Sequence, residues 1–174
     1  MPLAIVLRLD VATASRVAAL VEALPDRVRE VGAIRQSYPA HVVLATYGDQ
    51  VDVADLDAAL ATWTGCWPRL PIILAGVGVF PADPPGVCLL LAPSIDLLKR
   101  HSTLHRALAD LRSHYAYDVD GWVPHVILAR TNLVGDAVEV LTSIWTGPIT
   151  GWLESLDLVR LDPVEVLSAR PLRG

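Results

Sequence analysis

Two histidines stand in matching frames. His41 opens the run HVVLA two residues after Pro39, and His125 opens HVILAR directly after Pro124, 84 residues further on. Each heads a stretch of β-branched and apolar residues, the pattern of a strand. Strand side chains alternate between faces. His41, Val43, Ala45 and Tyr47 therefore share one face, and His125, Ile127 and Ala129 share one face of the other strand. If the two strands are related by a pseudo-two-fold, both imidazoles turn into one cleft. An imidazole titrates near neutral pH, so such a pair can divide the work of acid and base. One takes a proton from water or a hydroxyl, and the other gives one to a leaving oxygen. That division suits phosphodiester cleavage without a metal.

The elements that must hold the histidines follow from hydrophobic periodicity. Strands are expected at 3–9, 41–47, 70–80, 86–92, 122–130, 149–162 and 164–170. Val17, Leu20, Val21, Leu24, Val28 and Val31 recur at helical spacing, with a kink or break at Pro25. Asp52 opens a helix over 53–63. Ser94 caps a longer one whose buried side is Leu97, Leu104, Leu108, Leu111 and Tyr115. A shorter helix covers 136–145. Strand pairs at 70–92 and 149–170 favour an α+β chain over a doubly wound parallel sheet. The chain reads as faintly duplicated, 41–92 against 125–170, and VLRLD at 6–10 echoes LVRLD at 158–162.

The chain has 174 residues, is 53% hydrophobic and carries a net charge of −5. It is long enough to bury a core. The charge excludes a broad basic face for long nucleic acid but not a local pocket for a small anion. The uncharged stretch Leu70–Ala82 is broken by Pro and Gly and is too short to span a bilayer. The N-terminus has no basic region before its apolar run, so no signal peptide is read there. Cys66 and Cys88 fit no metal or CxxC spacing, and buried or half-buried thiols in a reducing cytoplasm are expected.

PAHVVLA and VPHVILAR together resemble the paired motifs of the 2H phosphoesterases, the family of 2′-5′ RNA ligase-like proteins and RNA 2′,3′-cyclic phosphodiesterases. Those motifs are His, any residue, Thr or Ser, then an apolar residue, twice, about 80 to 90 residues apart. The order of strands and helices agrees over nearly the whole chain. The resemblance implies one domain over 1–174, built of two pseudo-symmetric lobes. Each lobe would be a mainly antiparallel sheet with helices outside, and the two would enclose a central cleft. It implies His41 and His125 as the catalytic pair of a metal-independent hydrolase, with no cofactor. The substrate would be a small nucleotide, a 2′,3′-cyclic phosphate or a 2′-5′-linked RNA end. A cytoplasmic monomer is expected, with no membrane partner.

The departures matter as much. The family's hydroxyl positions hold Val43 and Ile127, which cannot donate to a phosphate. By strict alternation Thr46 lies on the wrong face to replace them. Arg130, which matches the residue that often ends the second motif, also lies on the far face unless the strand bulges or ends. Arg8 and Arg160 lie on strands that could approach the cleft, and Arg35 and Tyr38 lie in the loop before His41. Tyr38, Tyr117 and Trp122 are the aromatics close to the histidines, and Tyr117 and Trp122 could stack on a base. The expected substrate-binding set is Val43, Ile127, Arg130, Tyr38 and Trp122. The alternative is a 2H fold that binds a nucleotide or small ligand with little or no turnover.

The remaining signals are weaker. His101 and His105 have metal-ligand spacing on a helix but lack a third ligand, and His101 fits an apolar series at the core edge. His114 suits a helix C-terminus. AGVGVF, inside a strand, reads as close packing or a bulge. Asp49, Asp52, Asp55 and Asp57 read as a helix N-terminus and its exposed face.

Overall fold

The computed structural model describes residues 2–28, 38–48, 50–111 and 117–174. Val31, Arg35, Asp49, His114 and Tyr115 lie outside the described residues. The strands are β1 (Leu3–Leu9), β2 (His41–Tyr47), β3 (Leu70–Phe80), β4 (Gly86–Leu91), β5 (His125–Arg130), β6 (Ile149–Leu161) and β7 (Val164–Pro171). The helices are α1 (Val11–Glu22), α2 (Val53–Thr64), α3 (Ile95–Ala107) and α4 (Val134–Ile144). Asp10, Asp52 and Ser94 cap the first three helices by accepting from Thr13, Ala54 and Leu97 N–H. α1 ends before Pro25, where the sequence placed a break. Cys66 is exposed rather than buried, and Cys88 is buried.

All strand pairings are antiparallel and run β2-β1-β6-β3-β4-β5, with β7 also on β6. The fold is α+β as expected, but the sheet is continuous. β3 and β6 pair over 70–74 and 149–153 and join the two halves. The duplication is real and begins earlier than the sequence suggested. β1-α1-β2-α2-β3 is repeated as β4-α3-β5-α4-β6, and the strand path reads the same from either end under that exchange. The registers agree residue by residue. Arg8 faces His41 as Leu90 faces His125, and Val6 faces Val43 as Cys88 faces Ile127.

Each half carries a bulge at the same place. Leu44 is skipped between β1 and β2, and Leu128 between β4 and β5. Glu154 and Ala75 are skipped in a second matching pair. Leu3, Ile5, Leu7 and Leu9 enter the main core with Val17, Leu56, Leu60, Leu104 and Leu141 of the helices. Ala4 and Val6 turn the other way and form a small cluster with Tyr38 and Val159. Each helix that follows the first strand of a repeat reaches the other half's end strand: α1 contacts β5, and α3 bonds to β2.

Candidate active site

β2 and β5, the two ends of the strand path, approach each other. Between them lies a cavity of about 300 Å³ lined by His41, Val43, Thr46, His125, Ile127, Arg130, Tyr38 and Tyr117, with Ala4, Val6, Val159, Leu161 and Val164 completing its walls. Both histidines of the sequence motif meet there. Val43 and Ile127 stand beside them, offering only methyl groups to an occupant. Larger hollows of about 740 and 540 Å³ lie elsewhere, and neither contains a histidine.

Strict alternation misplaced two residues. Skipping Leu44 reverses the side-chain parity of β2, so Thr46 returns to the face of His41 and Val43. Skipping Leu128 does the same for Arg130 on β5. A bulge adds one residue to a strand and re-aims the side chains beyond it. Nothing in HVVLATY or HVILAR marks the bulge. β2 ends the strand path, so carbonyls on its outer edge need partners from elsewhere. Trp122 Nε1 donates to the Val43 carbonyl at 3.0 Å. His101 and His105 Nε2 each donate to the Leu44 carbonyl at 3.1 Å. A carbonyl only accepts, so both Nε2 atoms carry hydrogen.

Trp122 is therefore not a wall of the cavity. It is buried, and its ring stacks on His101 at 3.9 Å between centroids and 4° between planes. That face is not open to a base. The symmetry explains its place, since Trp122 and Tyr38 each stand three residues before their histidine. Arg160 is bound to Glu165. His101 and His105 are spent on a carbonyl. Among the described residues no group of three or more His, Cys, Asp or Glu could hold a metal ion, and no helix is long and apolar enough to cross a membrane.

The two histidines are held alike. His41 Nδ1 donates to the Pro39 carbonyl at 2.8 Å, and His125 Nδ1 to the Val123 carbonyl at 2.7 Å. These bonds fix the tautomer and leave Nε2 of each as the nitrogen available for proton transfer. Each ring is braced by an aromatic. Tyr38 meets His41 edge-on at 5.0 Å, and Phe80 stacks on His125 at 4.3 Å. Burial lowers the pKa of both below the ordinary imidazole value. For His41 the Asp157 charge opposes that fall and His125 adds to it. For His125 the Arg130 charge adds to it.

Beneath the cavity lies a charged group that the sequence did not suggest. Asp157 is fully buried and accepts from the Tyr38 hydroxyl at 2.5 Å and from the Ser155 hydroxyl. Arg8 Nε lies 3.5 Å from the same carboxylate. Burial and the Asp157 bond raise the Tyr38 pKa, so the hydroxyl keeps its hydrogen. LDLVRLD reads as a plain strand, and its first aspartate carries no motif.

A curved antiparallel sheet that brings two histidine strands together over one cavity defines a two-histidine, phosphoesterase-like fold. The family described as the 2′-5′ RNA ligase superfamily matches residues 10–165, and the chain belongs to it. No curated protein matches the sequence. Among solved structures, TT0787 of Thermus thermophilus is 22% identical, with a TM-score of 0.68 over 100% of this chain and 99% of its own. LigT of E. coli complexed with 3′-AMP is 17% identical, with a TM-score of 0.66 over 100% of both chains. Usb1 of Kluyveromyces marxianus with uridine monophosphate is 13% identical, with a TM-score of 0.53 over 98% of this chain and 97% of its own. LigT has also been crystallised with ATP, NADP+ and phosphate. At these identities the likeness establishes the fold.

Proposed function

We propose that the protein is a metal-independent phosphodiesterase that opens a small 2′,3′-cyclic phosphate or a 2′-5′-linked nucleotide end, with His41 and His125 as its acid–base pair. The observation that carries this reading is the matched pair of Nδ1 bonds. Both histidines line one cavity with Nε2 left for proton transfer. One Nε2 takes a proton from water as the oxygen attacks phosphorus. The other gives its proton to the ribose oxygen as the P–O ester bond breaks, leaving a phosphomonoester. Arg130 and Thr46 supply the polar contacts to the phosphate in place of the missing hydroxyls at 43 and 127. The small nucleotides bound by LigT and Usb1 support a substrate of that size. A cavity of about 300 Å³ is at the small end for a ligand pocket and suits a mononucleotide better than a folded RNA.

The test is turnover of nucleoside 2′,3′-cyclic phosphates in the presence of chelator. His41→Ala and His125→Ala should each lower it by about 10²- to 10⁴-fold, the usual weight of a general acid or base. Turnover that survives both substitutions would refute the assignment. The methyl groups of Val43 and Ile127 favour a second reading, a nucleotide-binding module without catalysis. Calorimetric binding of 3′-AMP or a cyclic phosphate with no product formed would select it.

A further inference from the structure

Away from the histidine cavity, three cations gather at one joint of the fold. The chain leaving α2 enters β3 through Trp67, Pro68 and Arg69, and the first turns of α3 stand beside it. Between them lies a hollow of about 370 Å³ lined by Trp67, Arg69, Asp96, Lys99, Arg100 and Thr103. It shares no residue with the histidine cavity. Three cations against one carboxylate run counter to a chain whose net charge is −5. Among the described residues none of the three is ion-paired with a carboxylate. Arg69 and Lys99 are exposed, but Arg100 is only 8% exposed. Its Nη2 donates to the Pro68 carbonyl at 2.7 Å, and its Cζ stands 5.2 Å over the Trp67 ring. Its Nη1 is buried and has no partner. Buried polar groups are nearly always bonded, and an unpaired charged donor is the costlier exception. Burial lowers the Arg100 pKa, and the Asp96 charge offsets that only in part.

The pseudo-two-fold shows that the fold does not itself require this cluster. The helix caps Asp10 and Ser94 match Lys99 with Ser15 and Arg100 with Arg16. The register of β3 on β6 matches Leu70 with Ile149, and so Arg69 with Pro148 and Trp67 with Thr146. One half thus builds the joint with a proline, a serine and an exposed arginine. The other half builds it with three cations around a hollow and one of them buried.

We propose that this hollow is a second anion site, which takes a dianionic phosphate, either free or as the terminal monoester of a nucleotide. Its three cations less Asp96 leave two positive charges, the complement of a phosphate dianion. A guanidinium fork suits phosphate oxygens, and the bound anion gives Arg100 Nη1 the acceptor it lacks. Lys99 and Arg69 add charge from the solvent side. Trp67 does not serve a base. Trp63 stacks on it at 6.1 Å between centroids and 12° between planes, and Arg100 stands over the same ring. The site therefore reads the phosphate and not the nucleoside. A phosphodiester, with a single charge, matches it less well.

The experiment follows the Trp67 indole N–H and the Arg100 Nε–H by NMR in the full chain at pH 8 and constant ionic strength. Inorganic phosphate, 5′-AMP and the diester ApA are titrated in turn, with sodium chloride as the control for screening. The His41 and His125 imidazoles report any phosphate in the other cavity, so the two sites are read separately. Phosphate and AMP should move the Trp67 and Arg100 signals saturably and with similar affinity. ApA should bind at least about 10-fold more weakly, the equivalent of one charge-assisted bond. Lys99→Gln combined with Arg69→Gln, both at exposed positions, should weaken phosphate binding at Trp67 by about 10-fold or more. Arg100→Lys, which keeps the charge but not the fork, should weaken it as well, and the exposed pair keeps the test open if that buried variant does not fold. Signals that move alike with chloride, ApA binding as tightly as phosphate, or an affinity unchanged in the double variant overturns the proposal. Phosphate binding here does not depend on His41 or His125, so its absence would leave the proposed activity untouched.

Discussion

Thr46 and Arg130 occupy the same place in the two halves of the molecule. Each lies five residues past a histidine, and each is returned to that histidine's face by a bulge at the third residue. The strands thus present a second tier of polar side chains behind Val43 and Ile127. Polar groups that the motif positions lack therefore stand one tier further along the same cavity.

Thr46→Val and Arg130→Gln should therefore each weaken cyclic phosphate binding. A hydrogen bond to a charged group is worth about 1.5–3 kcal/mol, or roughly 10- to 150-fold in affinity. Thr46→Val keeps the shape and is the cleaner probe. Calorimetry with 3′-AMP reads the effect, and an unchanged affinity in both variants would show that the anion sits elsewhere.

Restoring the motif hydroxyls makes the converse case. Val43→Thr preserves volume beside the cluster of Ala4, Val6, Tyr38 and Val159. Ile127→Thr removes the methyl that lies over Gly86, where any Cβ would stand 2.9 Å from Ile127 Cδ1, and costs about 1 kcal/mol of stability. The double variant should bind inorganic phosphate at least about 10-fold more tightly, the equivalent of one charge-assisted bond. Equal or weaker phosphate binding would mean that the cavity is no longer organised for an anion at those positions.

The histidine frames, the strands and the α+β class were legible because each rests on local pattern. Val and Leu at period two give strands, and Asp52 and Ser94 announce their helices. The bulges were not legible, because no residue type in either strand marks them, and the groups that bond the β2 carbonyls there, Trp122, His101 and His105, come from distant sequence. Strict alternation therefore puts Thr46 on the wrong face, and Arg130 reaches the cavity only through the bulge that the sequence leaves open. Asp157 was missed for a related reason. A buried carboxylate is recognised by what surrounds it, and Tyr38 lies 119 residues away. The continuous sheet was hidden in the length of β6, which serves β1, β3 and β7 at once.

Trp122→Phe should cost about 1–3 kcal/mol of stability, because the part-buried Val43 carbonyl loses its donor. Urea unfolding at pH 7 measures it. The same variant should bind 3′-AMP as the wild type does, once corrected for the folded fraction. A fall in nucleotide affinity without a fall in stability would instead make Trp122 a stacking platform.

His101 gives the fold a pH dependence of predictable sign. It is 1% exposed, stacked on Trp122 and bound to the Leu44 carbonyl, and burial with the adjacent His105 lowers its pKa to about 4. An unfolded histidine titrates near 6.5. The unfolded chain therefore takes up a proton over a range in which the folded chain refuses it, and linkage makes stability fall as pH drops. The loss begins near pH 6.5 and is complete near pH 4, and its full size is about 3 kcal/mol. His101→Phe keeps the ring stack, and His105 still donates to Leu44. Its unfolding free energy should depart from that of the wild type by a constant amount above pH 7. The gap should then shift in favour of the variant by about 3 kcal/mol on going from pH 7 to pH 4. Parallel curves for the two proteins across that range would show that His101 is protonated as readily in the fold as out of it.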